Sequence, residues 1–234
     1  MDTPEISVVI PTRNEEASIG RVIDEVSTAM RGHGPYEIIV VDTDSTDRTT
    51  EIARNKGARV VPEPRRGYGR AYKTGFAAAK GEVIVALDAD LTYPAAMIPE
   101  FVRYVTTEGA EFVSGNRLAG LQGGAMSGMH RLGNRILTAA FRFLFGFPIR
   151  DSQSGMWAFR RDLLAGLDLV HDGMAFSEEL KVEVIRKRHR FQEVPIEYRA
   201  RVGEKKIRSV RDAFANLVWL LRKRLGWVRR PSGG

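Results

Sequence analysis

The sequence predicts a doubly wound α/β fold, a mostly parallel sheet with helices on both faces. Three observations predict it. Strand-like runs that are apolar throughout alternate with helical patterns of about ten to fifteen residues, the signature of strands buried on both sides. The helical runs are amphipathic and suited to covering such a sheet. The polar clusters fall directly after the strands, at the carboxyl ends where ligands bind in folds of this kind.

The elements follow in order. "EISVVIP" is a strand, and the amphipathic run from Glu15 to Met30 returns the chain. "YEIIVVD" and "STDRTTEIARNKG" repeat the pair, as do "ARVVP" with "GRAYKTGFAAAKG" and "EVIVALD" with "PAAMIPEFVRYVTTEG", before the strand "AEFVSGNR". After Arg117 the pattern changes. A glycine-rich segment, "LAGLQGGAMSGMHRLGN", leads into an apolar helix from Arg131 to Phe147, then "DSQSGMWAFRRDLL", the helix "AFSEELKVEVIRKRH", the strand "FQEVPIEYRARVG" and a final helix from about Ser209 to Leu225. There is no internal repeat.

Composition narrows the function. The absence of cysteine excludes disulfides and thiolate metal sites and fits a reducing compartment. The four histidines (His33, His130, His171, His189) have no metal-ligand spacing, so any metal must be held by oxygen. The acidic N-terminus enters a strand within a few residues, unlike a signal peptide, and no apolar run approaches the roughly 20 residues that span a bilayer; a cytoplasmic location is expected. From Arg199 onward there are 11 Lys and Arg against two acids, so the basicity of a chain with net charge +7 belongs to its tail. A near-neutral body with acidic strand ends repels nucleic acid, whereas a basic amphipathic end suits an anionic surface or a phosphate-bearing ligand.

In "GEVIVALDADLTYP" an apolar strand finishes with Asp88 and Asp90, one alanine apart. Residues two apart on extended backbone project to one side, so both carboxylates can face one hard cation, and Mg²⁺ or Mn²⁺ commonly bridges such acids to substrate phosphates. The bland alternative is a solvated strand end. Ser45, Thr46 and Asp47 precede "RTTEIA" as a helix cap would, and Ser177 followed by Glu178 and Glu179 reads the same way. The two glycines of "RRGYGRAYKTGF" open a helix whose N-terminus suits an anion or is a plain loop.

Together, "VVIPTRNEEASIGRVI", "IIVVDTDSTDRTTEIA", "GYGRAYKTGFAAAKGEVIVALDAD" and "DSQSGMWAFRR" resemble, in order and spacing, the family-two glycosyltransferases of GT-A fold, and among them the polyprenyl-phosphate (dolichyl-phosphate) glycosyltransferases. The resemblance runs from about Ile6 to Lys206. It implies an inverting enzyme that moves a hexose from a nucleoside diphosphate sugar, GDP-mannose or UDP-glucose, to a polyprenyl phosphate, with Mg²⁺ or Mn²⁺ at the aspartates. By this resemblance Pro11, Thr12, Asn14 and Glu15 contact the nucleoside, Asp42 contacts base or ribose, Gly67, Gly69 and Arg70 contact the nucleotide, and Asp88, Ala89 and Asp90 hold metal and donor. Thr43 and Thr92 depart from the family pattern, which leaves the base open and Thr92 without a role. Residues 1–117 form the nucleotide-sugar-binding half, 118–207 the acceptor-binding half and 208–234 a basic amphipathic helix.

The acceptor separates the readings. An alcohol must lose a proton to a carboxylate, whereas a phosphate monoester is already ionised and needs cations to hold it. Arg117, Arg131 and Arg201 match positions that hold phosphate in the lipid-phosphate branch; Asp151, Glu178 or Glu179 is the base of the competing mechanism, Asp151 otherwise orienting an arginine or the sugar, and Trp157 belongs to core packing or stacks on sugar. A soluble hydroxyl acceptor and a non-catalytic nucleotide-binding or nucleic-acid-binding module are the alternatives. In the final helix Val210, Phe214, Leu217, Leu221 and Leu225 form an apolar stripe, with Arg211, Asp212, Arg222 and Lys223 opposite. Trp219 on the polar face and Trp227 beyond it then anchor the chain at the headgroups, peripheral on the cytoplasmic face of a membrane; the bland alternative is that this helix and the one before Phe147 pack within the fold or a dimer. In the helix before Phe147, Leu137, Phe141 and Phe145 lie opposite Ile136 and Phe143, so one side meets protein and the other lipid or a second subunit of a homodimer.

Overall fold

The structure is a computed structural model that describes residues 4–203 and 209–226, with side chains in the last helix from residue 214 onward. Glu204, Lys205, Lys206, Trp227 and the side chains of Val210, Arg211 and Asp212 therefore lie outside the described residues.

The alternation of strand and helix is as the sequence predicts: β1 (Ile6–Thr12), α1 (Ile19–Ala29), β2 (Tyr36–Asp42), α2 (Thr49–Asn55), β3 (Arg59–Pro62), α3 (Tyr68–Ala78), β4 (Val83–Ala86), α4 (Ile98–Thr106) and β5 (Phe112–Leu121). There follow α5 (Gly128–Phe145), β6 (Trp157–Arg160), α6 (Phe176–Arg186), β7 (Phe191–Tyr198) and α7 (Ser209–Arg224). One seven-stranded sheet has the order β3-β2-β1-β4-β6-β5-β7. Its pairs are parallel except where β6 runs against β4 and β5.

Strand alternation divides the core between the two faces of the sheet. Ile6, Val8 and Ile10 of β1 pack with Ile19, Val22, Ile23 and Val26 of α1 and with Phe101 of α4. Val9, between them, points to the other side, among Tyr72 and Phe76 of α3, Trp157 and Phe159 of β6 and Phe176 of α6. Trp157 is wholly buried and its indole N–H donates to the Ser154 carbonyl, so it is core and not a sugar platform.

The reversed strand positions the chemistry. Trp157, its first residue, lies beside Ala86 and Ser114. Because β6 runs backwards, the segment that precedes it arrives at the edge where β4 ends and β5 delivers Asn116 and Arg117. "DSQSG" therefore reaches the same edge as "DAD". The "GMWAFRR" run contains this strand, which its periodicity does not reveal because both faces are buried.

The last helix corrects the stripe assignment. Trp219 and Leu220 pack with Phe141, Ile149, Ala175 and Val182 in a third apolar cluster. Lys223, only 2% exposed, is ion-paired with Glu183 at 2.8 Å and Glu179 at 3.7 Å. Trp219 thus faces protein and is no headgroup anchor, while Phe214, Leu221 and Leu225 are exposed. A buried pair of acids on α6 calls the lysine inward, and the helix rotates with it. On α5 the division is as expected: Leu137 and Phe141 are buried, and Ile136 and Phe143, the latter 89% exposed, face outward. No helix among the described residues is long and apolar enough to cross a membrane.

Candidate active site

Two adjoining cavities open at the carboxyl end of the sheet and share Tyr68, Asp88, Asp90, Met174 and Arg201. The first, of about 250 Å³, lies over the loops after β1 and β2 and takes in Pro11, Thr12, Glu15, Thr43, Gly67 and Ala89. The second, of about 390 Å³, is walled by Arg117, Gln153 and Asn216 and reaches Met129, Leu132 and Ile136 on α5.

The aspartates lie past the end of the strand, which stops at Ala86, and Asp90 is on a turn. Asp90 Oδ1 accepts from the Thr92 N–H at 3.1 Å and the Thr92 hydroxyl at 2.6 Å, and Leu91 takes a positive φ of 65°. Thr92 therefore has a part that the sequence left unassigned: it fixes the Asp90 carboxylate. Asp90 Oδ2 meets Arg201 at 3.1 Å, and Arg201 also reaches Glu15 at 3.1 Å. Asp88 accepts from the Tyr72 hydroxyl at 3.1 Å. Burial, and then the Asp90 charge, push the Asp88 carboxyl up to about 7.

A divalent cation suits this donor set. The paired carboxylates are oxygen ligands held at the junction of two cavities, and Arg201, shared with Glu15, offsets their repulsion only in part, as the raised Asp88 carboxyl shows. Among the described residues no three His, Cys, Asp or Glu side chains could hold a metal together, so substrate oxygens would complete the coordination.

The loops over the first cavity are tied to one another. The Asn14 Oδ1 accepts from the Thr46 N–H at 2.8 Å, the Glu15 N–H donates to Thr49, and Thr43 donates to the Thr12 carbonyl. Asp42 accepts from the Ser45 N–H and hydroxyl. Asn14, which is exposed, and Asp42, which is buried, thus tie the loops after β1 and β2 together beside the cavity. Asp47 accepts from the Thr49 N–H and hydroxyl at the first helical residue, but it stands one position ahead of the N-cap of α2, which is Arg48.

Gly69 and Arg70 need correction. The Gly69 and Arg70 N–H groups donate to the carbonyls of Gly173 and Asp172, and the Arg70 side chain binds Glu63. The start of α3 is therefore occupied by protein, and neither residue lines a cavity. A Cβ at Gly69 would meet Phe176 at 2.5 Å, so this glycine allows helix packing and not ligand approach. Gly67, with φ of 151°, does line the first cavity, as does Arg66 beside it. Arg66 escaped the sequence reading although an arginine directly ahead of a helix start was a usable signal.

Arg117 and Asp151 form a buried pair. Arg117 Nε and Nη2 donate to the two carboxylate oxygens at 2.8 and 2.9 Å, and the Arg117 N–H donates at 3.0 Å. Burial raises the Asp151 carboxyl, but the guanidinium outweighs it and holds the group below the usual range. With both oxygens engaged and no exposure, Asp151 orients the arginine and is not a base. Arg131 is exposed on α5 and is not among the residues that line the cavity; its neighbours on the helix are.

Behind this pair lies a second buried group. Lys181 donates to the carbonyls of Ser152 and Ser154, clamping the loop, and burial pushes it down to about 7. Glu178 lies with Glu179 in the first turn of α6, where the sequence expects acids, but Ala175 is the N-cap and the Glu178 side chain is buried. It accepts from Gln153, and burial pushes it up to about 8. Folding then takes up a proton on Glu178 between the ordinary carboxylate pKa and about 8, and its contribution to stability falls as pH rises through that window. Glu178→Gln keeps the acceptor for Gln153 and is expected to raise Tm more at pH 8.5 than at pH 5. An equal change at both values in a thermal melt would place the charge elsewhere.

Fold and site together define a GT-A glycosyltransferase. The family model for glycosyl transferase family 2 matches residues 7–167, and the chain belongs to that family. It is 35% identical over 232 residues to the low-salt glycan biosynthesis hexosyltransferase Agl6 of Haloferax volcanii, covering 98% of this chain but only 56% of that one. It is 36% identical over 212 residues to the dolichyl-phosphate hexose transferase of the same organism, covering 90% and 88%. Among solved structures, glucosyl-3-phosphoglycerate synthase of Mycobacterium tuberculosis, bound to Mn²⁺, UDP and glucosyl-3-phosphoglycerate, superimposes with a TM-score of 0.77 at 29% identity, covering 98% of this chain and 82% of the other.

Proposed function

We propose that the chain transfers a hexose from a nucleoside diphosphate sugar, with GDP-mannose and UDP-glucose as the candidate donors, to a polyprenyl phosphate. The observation that carries the acceptor is the second cavity, whose floor holds Arg117 and Arg201 and whose rim is Met129, Leu132 and Ile136. A lipid phosphate has that shape: an anionic head and an apolar body. The relative named as a dolichyl-phosphate hexose transferase supports the same reading.

The donor would occupy the first cavity, with its diphosphate toward Asp88 and Asp90. Mg²⁺ or Mn²⁺ held by those aspartates would neutralise the charge that develops on the departing diphosphate. An oxygen of the acceptor phosphate forms the bond to the anomeric carbon as the bond to the diphosphate breaks, so configuration inverts. No base is needed because the phosphate is already ionised. Arg117, fixed by Asp151, and Arg201 hold it in line behind the carbon.

The helices that carry and adjoin the apolar rim, α5 and α7, also expose apolar and basic side chains. Phe143, Phe214, Leu221 and Leu225 lie there with the exposed Arg131, Arg135, Arg142, Arg222 and Arg224, and α5 carries no acid. Such side chains suit an anionic bilayer at the cytoplasmic surface, from which the lipid phosphate would enter.

The test offers radiolabelled donors with polyprenyl phosphate in anionic vesicles and, separately, with 3-phosphoglycerate. Label is expected in the organic phase, and Phe143→Glu should reduce that product severalfold in vesicles. Label that stays aqueous with 3-phosphoglycerate would replace the lipid reading with the soluble acceptor that the neighbour's bound product illustrates.

A further inference from the structure

The inner side of α7 reaches into the second cavity. Trp219 and Leu220 bury the helix against α5 and α6, and Lys223 ties it to Glu183. Asn216 lies three and four residues before the two apolar anchors, hence on the same side of the helix. It is 6% exposed and lines the cavity, and its Nδ2 donates to Gln153 Oε1 at 3.2 Å.

Gln153 is the centre of the arrangement. Its Nε2 donates to the Ser152 hydroxyl at 3.0 Å and to Glu178, and its backbone N–H donates at 3.1 Å to Asp151 Oδ1, which also accepts from Arg117 Nη2. A side-chain amide keeps one orientation only when its two ends meet unlike partners. Here Glu178 accepts at the nitrogen end and Asn216 donates at the oxygen end. Gln153 thus joins α7, through its side chain, to the acid that holds the cavity arginine, through its backbone N–H.

We propose that Asn216 is a positioning residue for the acceptor, acting through Gln153 on the Asp151–Arg117 pair, and that α7 is thereby a wall of the acceptor site. This goes beyond the proposed function and rests on the second cavity being the acceptor's. Removing the Asn216 donor frees the Gln153 amide to turn, and Asn216→Asp, of the same shape, sets an acceptor against an acceptor.

The test is steady-state kinetics with whichever acceptor the wild-type protein glycosylates, per mole of folded protein. Asn216→Ala and Asn216→Asp are each expected to raise the acceptor KM roughly tenfold, as loss of one buried hydrogen bond does, with the donor KM unchanged. Gln153→Ala should do the same, and the double variant Asn216→Ala, Gln153→Ala should be no worse than the poorer single variant. Unchanged acceptor KM in Asn216→Asp, a donor KM that rises in step, or single effects that multiply in the double variant would overturn the proposal. A wild-type protein active only on a soluble acceptor would refute the lipid reading while leaving this test in force.

Discussion

Asp90→Asn is expected to lower kcat/KM by a factor of about 10² to 10³, the usual loss when one electrostatic contact to the transition state is removed. The amide has the shape of the carboxylate and can still accept from Thr92, whose hydroxyl stands at 2.6 Å, so the turn should survive. What disappears is the charge that faces Arg201 and, in the proposed reaction, the divalent ion. Two measurements make the result specific. Donor-induced stabilisation in a thermal-shift assay should depend on Mg²⁺ or Mn²⁺ in the wild type and lose most of that dependence in the variant. A chelator should bring the wild type down toward the variant. Full turnover by Asp90→Asn with chelator present would sink the metal assignment.

The second large effect is on stability. Asp151→Asn strips the Arg117 guanidinium of its charged partner in a site where Asp151 has no exposure and Arg117 only 6%. Breaking a buried pair from one side costs about 3–5 kcal/mol, since the remaining charge is left uncompensated. For a chain of this size that corresponds to a fall in Tm of roughly 10 °C or more. Arg117→Lys should also be impaired, because a point charge does not replace a fork that engages both carboxylate oxygens. A Tm within about 2 °C of wild type for Asp151→Asn would mean that the pair is solvated after all.

Much of the fold was legible because its strands are long apolar runs and its helices are amphipathic. The position of "DAD" after an apolar strand announced the acidic pair, and the arginines at 117 and 201 were found in the cavity that the acidic pair borders. What the sequence could not show depends on contacts between distant segments. Gly69 looked like a ligand glycine until Phe176 came against it. Glu178 and Glu179 do stand in the first turn of α6, as Ser177 before them suggested, but the N-cap is Ala175 and the burial of Glu178 against Gln153 had no local signal. The face of α7 was misassigned because hydrophobicity alone favours burying Phe214 and Leu221, whereas the buried acids of α6 require Lys223 on the inside. Asn216 gave no signal at all, since its part exists only through Gln153.

The reversed β6 brings the "DSQSG" segment to the end of the sheet where the parallel strands deliver their acids and arginines, and both cavities lie at that end. The turn at 31–35 is exposed, with Gly32 and Gly34 at φ of 82° and 84°, and the turn at 187–190 lies at the same remote edge. A fluorophore, an affinity tag or a surface linker placed at 31–35 would be separated from both cavities by the length of the strands. Immobilised there, the protein would present its open end outward, toward substrates or a supported bilayer.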